Sequence, residues 1–278
     1  MSGEMTGLAA IVTGGASGLG AAIADRLAGL GARVAVLDLN PPAKGSSPHL
    51  GLACDVSDDA SVRAAVAQAA EAFGGLDVVV NNAGYGYLAA VEEIADDAAR
   101  AMFEVQVFGV LNVLRAVLPG FRNERSGHII NVSSIVGLVP FPGWGLYGAG
   151  KFALEALTES LAGEVAEYGI AVNLVEPGYM RTDFLRPVSI GLPERTTDAY
   201  PAIREMVHQH LEKIPGTQPG DPARAADAII SVAVRGAAPL HQLLGSDSLG
   251  LMENRIRSLS ADAGSSRALA MTTDILQP

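Results

Sequence analysis

Cysteine is almost absent from this sequence: Cys54 stands alone among 278 residues. A single thiol excludes an intrachain disulfide and a thiolate metal cluster. Cys54 therefore reads as a small buried hydrophobe in a reducing compartment. Lysine is scarce as well, present only as Lys44, Lys151 and Lys213, and the net charge is −11. So acidic a surface repels phosphate backbones and anionic lipid, which argues against nucleic acid and membrane surfaces as partners. No run approaches the roughly 18 consecutive apolar residues of a bilayer span. The start, Met1 to Glu4, lacks the basic-then-apolar pattern of a secretory signal. A cytoplasmic location is expected. His208 and His210 are two apart on an expected helix and face different ways, so no metal site is expected there or elsewhere.

What is present is core-forming material. Hydrophobic residues make up 49% and charged residues 18% of the chain, so a large core is expected and disorder is not. Short apolar runs at Leu8–Thr13, Arg33–Asp38, Leu50–Cys54, Asp77–Asn81, His128–Ser133, Ile170–Val175 and His241–Gly245 read as strands. Between them, helical periodicity spans Leu19–Leu30, Asp58–Phe73, Ala98–Leu118 (stopped by Pro119) and Tyr147–Tyr168, and Asp221-Pro222 opens a helix running to about Arg235. Continuous rather than alternating apolar strands are covered on both faces. The alternation therefore predicts one α/β domain, a doubly wound parallel sheet of about seven strands with helices on either side.

Between the first strand and first helix lies Gly14-Gly15-Ala16-Ser17-Gly18-Leu19-Gly20. Glycines there permit a tight turn and close approach to a pyrophosphate, which the amides and dipole of the following helix attract. Asp38 ends the second strand 18 residues beyond Gly20, and Leu39-Asn40-Pro41-Pro42 after it is uncharged. A carboxylate in that place accepts hydrogen bonds from ribose hydroxyls and repels a 2′-phosphate, so NAD is expected over NADP. Tyr147 and Lys151 share a face one helical turn apart. With so few lysines, that spacing arises by chance only about 0.06 times in such a chain. An ammonium beside the phenol is expected to lower its pKa from about 10.

These segments, with Asn81-Asn82-Ala83-Gly84, Asn131-Val132-Ser133-Ser134 and Pro177-Gly178-Tyr179-Met180-Arg181-Thr182 in order, resemble the short-chain dehydrogenase/reductase family over about Leu8–Gly245. The resemblance implies a Rossmann-type fold and an NAD-dependent alcohol/ketone oxidoreductase. It makes Tyr147 the proton donor or acceptor and Lys151 its partner and holder of the nicotinamide ribose, with Ser134 bonding the substrate oxygen. Cofactor contacts are implied for Gly14, Ser17, Gly18, Leu19, Gly20, Asp38, Asp55, Val56, Asn82, Ala83, Gly84, Pro177, Gly178, Met180 and Thr182. Where the family has a relay asparagine in the long helix, this chain has Gln106, a fourth catalytic candidate.

The resemblance also places aromatic residues (Tyr85, Tyr87, Phe141, Trp144, Tyr179, Phe184) toward the substrate, implying an apolar alcohol or ketone of steroid, retinoid or polyketide type. Residues 183–220 match its variable lid, and Arg181 and Arg186 stand beside it as candidate anion grips or as solvated loop charges. The domain is expected to end near Ser246, with 247–278 a tail packing on the domain or on a partner subunit. A homodimer or homotetramer is implied. Two other readings stay open: a non-catalytic nucleotide-binding module, and an epimerase or dehydratase with tightly held NAD.

Overall fold

The computed structural model describes residues 5–235 and 239–275. Among them, seven parallel strands form the main sheet: β1 (Ala9–Thr13), β2 (Arg33–Asp38), β3 (Leu50–Ala53), β4 (Val78–Asn81), β5 (Gly127–Val132), β6 (Ile170–Pro177) and β7 (His241–Leu244). Their order across the sheet is β3-β2-β1-β4-β5-β6-β7. The chain reverses direction of growth between β1 and β4, and ligands of such sheets bind outside the strand C-termini at that crevice.

The apolar runs become strands because both faces are buried, and side chains then divide by the period of two. Ile11 packs on one side of β1 with Ala35, Val79 and Ile129, beneath Val62, Val66 and Ala69 of α2 (Asp59–Phe73) and Val113 and Val117 of the long helix α3 (Asp96–Glu124). Ala10 and Val12 pack on the other side with Val34, Val36 and Val80, beneath Ile23 and Leu27 of α1 (Gly18–Gly29) and Ala226 and Ile229 of α6 (Pro222–Arg235). Asp58 caps α2 by accepting the Ala60 amide at 2.9 Å, and Gly74 ends that helix in the left-handed region.

The expected end of α3 at Pro119 is wrong. The helix continues to Glu124 with Pro119 inside it. Arg115 and Pro119 are both exposed, so the carbonyl that loses its donor faces water. By length and composition α3 is apolar enough to cross a bilayer, yet Val110, Val113, Leu114, Val117 and Phe121 are core residues. It also contains a π-helical turn at Glu104–Phe108. β6 runs two residues past its expected end, because it pairs with β7 as far as Pro177 and Leu244. The helix bearing Tyr147 is α4 (Gly145–Val165).

The segment 183–220, where a lid is expected, holds a two-residue strand, Ile190–Gly191, paired with Gly86–Tyr87, and α5 (Pro201–His208), which continues in a second π turn, Gln209–Lys213. The tail is a helix, α7 (Ser246–Ala270), and its residues from Ser258 onward are exposed.

Candidate active site

At the strand C-termini the chain encloses a cavity of about 1240 Å³. One end is built by the glycine loop. Gly14 and Gly18 have φ of 63° and 56°, the left-handed region that suits glycine. A Cβ on Gly20 would lie 2.3 Å from the Gly14 carbonyl oxygen and 2.4 Å from Asn82 Nδ2. Asn82 Nδ2 donates to the carbonyls of Thr13 and Gly14 at 3.1 and 3.0 Å. Thr13 Oγ1 accepts the amides of Asn82 and Ala83 at 3.0 and 3.1 Å. The hydroxyl of Thr13 thus ties β1 to the end of β4, a role that sequence reasoning missed although Thr13 is the one polar end to its apolar run.

Ser17 is the N-cap of α1 but its side chain caps nothing, and the first turn carries no acidic residue. The leading amides are left for an anion. Asp38 accepts the Ala16 amide with Oδ2 at 3.1 Å and the Asn40 amide with Oδ1 at 3.0 Å, so it braces the loop as well as lining the cavity. Gly14, Ser17, Gly18, Leu19, Asp55, Val56, Asn82, Ala83, Gly84, Pro177, Gly178, Met180 and Thr182 all line the cavity. Gly20 is not in that wall; it allows the loop and Asn82 to close behind it.

Ser134, Tyr147 and Lys151 meet on one wall. Ser134 sits where β5 passes into a short 3₁₀ turn, and its Oγ accepts the Val136 amide at 3.2 Å. Tyr147 is buried, hydrogen-bonded to Ser134, edge-on to Trp144 at 5.4 Å and tilted on Phe184 at 5.7 Å. Lys151 Nζ donates to the Val132 carbonyl at 2.9 Å and lies 5.7 Å from the centre of the Tyr147 ring.

The expected acidification of the phenol does not occur in this site. Burial pushes Tyr147 up to about 12, against the pull of the Ser134 hydrogen bond. Burial also brings Lys151 down to about 8, opposed by the charge of Glu155. The ammonium lies over the ring and is bonded to a carbonyl, so one helical turn of spacing does not by itself deliver it to the phenolic oxygen. The site holds a protonated tyrosine, which is the form that gives up a proton.

Gln106 is buried on the π turn of α3, outside the cavity wall. Its Nε2 donates to the Tyr85 carbonyl at 2.8 Å and contacts Met102 Sδ, while Oε1 has no hydrogen-bond partner among the described residues. A Cβ on Gly150 would lie 3.1 Å from that oxygen. Gln106 therefore backs Gly84 and α4 instead of reaching the cavity. Tyr87 also lies outside the wall, whereas Tyr85, Phe141, Trp144, Tyr179 and Phe184 line it. Arg181 Nε donates to the Gln218 carbonyl at 3.0 Å and Arg186 pairs with Asp183 at 2.8 Å, so both guanidiniums are already engaged.

Several lining residues were not foreseen, among them Asp247, Leu251 and His210. Asp247, at the start of α7, accepts the Tyr179 amide at 2.8 Å, and Leu251 follows one turn later, so the start of the supposed tail is part of the site. His210 enters from the π turn that follows α5. A polar group lies behind Lys151, with Glu155 and Glu176 buried and His241 exposed: Ser133 donates to Glu155, and His241 Nδ1 lies 2.8 Å from Glu176 and 3.6 Å from Glu155.

A parallel sheet in this order, with a glycine loop at its switch point and a tyrosine, lysine and serine beside it, defines a dinucleotide-fold oxidoreductase. The sequence profile described as short chain dehydrogenase matches residues 8–191, and the chain belongs to the short-chain dehydrogenase/reductase family. It is 36% identical over 222 residues to oxidoreductase BOA17 of Botryotinia fuckeliana, covering 80% of each chain. To a 3-ketodihydrosphingosine reductase of Bacteroides thetaiotaomicron it is 44% identical over 133 residues, 48% of this chain and 49% of that one. Among solved structures, a short-chain dehydrogenase from Streptomyces avermitilis superposes with a TM-score of 0.88 at 33% identity, covering 96% of this chain and 99% of the other. A 3-ketoacyl-(acyl-carrier-protein) reductase from Brucella melitensis complexed with NADH gives 0.72 at 26% identity, covering 86% and 96%.

Proposed function

We propose that this oxidoreductase transfers hydride between NAD(H) and a secondary alcohol or ketone of mainly apolar character. The observation that carries this reading is the single cavity that joins the glycine loop and Asp38 to an aromatic-walled chamber, with Ser134, Tyr147 and Lys151 between them. The residues fit a dinucleotide: the loop closes so tightly on itself, Asn82 and Ala83 that a Cβ at Gly14 or Gly20 would collide with them, and the first turn of α1 is uncapped. Asp38, followed by the uncharged Leu39-Asn40-Pro41-Pro42, favours an unphosphorylated ribose. The Brucella relative that binds NADH points the same way.

The glycine loop, Asp38 and the leading amides of α1 would hold the dinucleotide, which would supply the hydride. Within the chain, the Tyr147 O–H donates to the carbonyl oxygen and passes its proton there as the alcohol forms; in oxidation it takes the proton back. Ser134, bonded to Tyr147, holds the same oxygen and fixes which face of the carbonyl is presented. Lys151, held by the Val132 carbonyl, places positive charge behind the phenol as it loses its proton. Trp144, Phe184 and Tyr147 pack ring on ring and exclude water from that transfer.

The test is turnover of a panel of secondary alcohols and ketones with each dinucleotide, followed by nicotinamide absorbance. Tyr147→Phe should lower kcat by about 10²–10⁴-fold, the usual worth of a positioned acid, with cofactor binding kept. An undiminished kcat in that variant would discard the assigned role. Asp38→Ala should narrow the preference for NADH over NADPH.

A further inference from the structure

The chamber beyond Tyr147 is walled by apolar side chains, among them Phe141, Trp144, Phe184 and Met206, with one polar pair set into it, His210 buried and Tyr179 exposed. Tyr179 Oη lies 2.7 Å from His210 Nε2, and His210 stacks edge-on against Trp144 at 5.3 Å. Trp144 in turn touches Tyr147, so a single indole separates the pair from the reacting phenol. Both Tyr179 and His210 line the cavity. The π turn is what brings the imidazole in: one extra residue in the turn leaves His208 and Gln209 exposed and buries His210.

The hydrogen-bond polarity of this pair can be assigned. His210 Nδ1 lies 2.8 Å from the Met206 carbonyl oxygen, which can only accept, so Nδ1 carries the proton. Burial lowers the pKa of His210 and raises that of Tyr179, which keeps the imidazole and the phenol neutral. Nε2 is then a lone pair, and the Tyr179 O–H donates to it. What Tyr179 presents to the cavity is its oxygen lone pairs, an acceptor that cannot donate.

We infer that Tyr179, oriented by His210, is a specificity residue that accepts a hydrogen bond from a hydroxyl on the substrate, remote from the reacting carbon. This rests on the oxidoreductase reading above and narrows its substrate class to apolar alcohols or ketones carrying a second hydroxyl. An apolar wall gives weak discrimination, whereas one placed polar group fixes register and rejects the analogue that leaves it unpaired. A carbonyl or carboxylate in the same place would set lone pair against lone pair. Asp183 and Asp247, also in the cavity wall, further disfavour an anion.

The test uses methyl ketones of increasing chain length in three series, ending in a hydroxyl, a methyl or a second keto group. At the lengths that reach the pair, the hydroxyl series should exceed both others by about tenfold in kcat/KM. Tyr179→Phe should bring hydroxyl and methyl ketones to within about twofold of each other. His210→Leu frees the Tyr179 proton, so there the diketone should gain on the methyl ketone while the hydroxyl series keeps part of its advantage. Equal kcat/KM for hydroxyl and methyl ketones at every length would overturn the inference. So would a hydroxyl preference that survives Tyr179→Phe. Both outcomes leave the oxidoreductase reading standing. Failure of every ketone with either dinucleotide would remove that reading and this inference together.

Discussion

The two ends of the cavity are built by opposite means. At the glycine-loop end almost every contact is backbone or a short polar side chain: Thr13 and Asn82 lock the loop to β4, and Asp38 braces it from β2. The far end is made of large side chains from distant segments, with Trp144 ahead of α4, Phe184 after β6, His210 from the π turn that follows α5 and Leu251 from α7. Close backbone approach needs particular small residues at fixed spacing. Enclosure by rings needs only bulk and can be assembled from anywhere in the chain. The first end should therefore be intolerant of single atoms, and the second tolerant of exchange among apolar residues.

Gly20→Ala is the strongest way to break that contrast. The new methyl would meet the Gly14 carbonyl at 2.3 Å, and that atom is backbone with nowhere to yield. Dinucleotide binding should weaken by about a hundredfold or more by calorimetric titration, and stability should fall by about 1–3 kcal/mol on denaturant unfolding. Gly29, nine residues further along the same helix, would meet nothing within 4 Å. Gly29→Ala should instead stabilise by about 0.4–1 kcal/mol through helix propensity and unfolded-state entropy. If the two alanines behaved alike, close approach would not be what fixes this end.

Thr13→Val comes next. It keeps the volume and removes the oxygen that accepts two amides, at a residue only 2% exposed. Unpaired buried donors cost about 1–3 kcal/mol. Denaturation of the unliganded protein should show a loss of that size, with a further loss in cofactor affinity as Asn82 shifts from the loop. A loss confined to stability, with affinity intact, would separate the hydroxyl from the site.

The same contrast explains what could be read without coordinates. All seven strands lie within one or two residues of the apolar runs, because burial on both faces keeps most positions of each strand apolar. The residues of the glycine-loop end were legible because local turn geometry dictates them. Pro119 misled because its cost depends on whether the freed carbonyl meets water, and that is set by which face of α3 is outward. His210 was dismissed as a poor metal ligand on regular helical spacing, which its π turn violates. Asp247 lies about 70 residues beyond the amide it holds, and nothing in either segment names the other. The long-range electrostatics of Tyr147 were equally hidden: spacing gave the neighbour, whereas burial decided the sign.

Glu155 lies one turn beyond Lys151, behind the wall common to both ends, and gives the smallest and most discriminating test. Burial pushes its carboxyl up to about 7; the Ser133 hydrogen bond opposes this, Glu176 adds to it, and His241 works against it. The unfolded chain loses this proton near the ordinary value of 4.5, so the folded state binds it more tightly. Its contribution to stability is therefore fully present below about 4.5 and is lost as pH rises through about 7. Glu176 and His241 share the change, so the effect should be on the order of 1 kcal/mol. Urea midpoints of the wild type minus those of Glu155→Gln should fall across that window and flatten above it. A difference that rose with pH would mean that His241 holds Glu155 ionised throughout. Lys151 would then keep a full counter-charge behind it at every pH in that window.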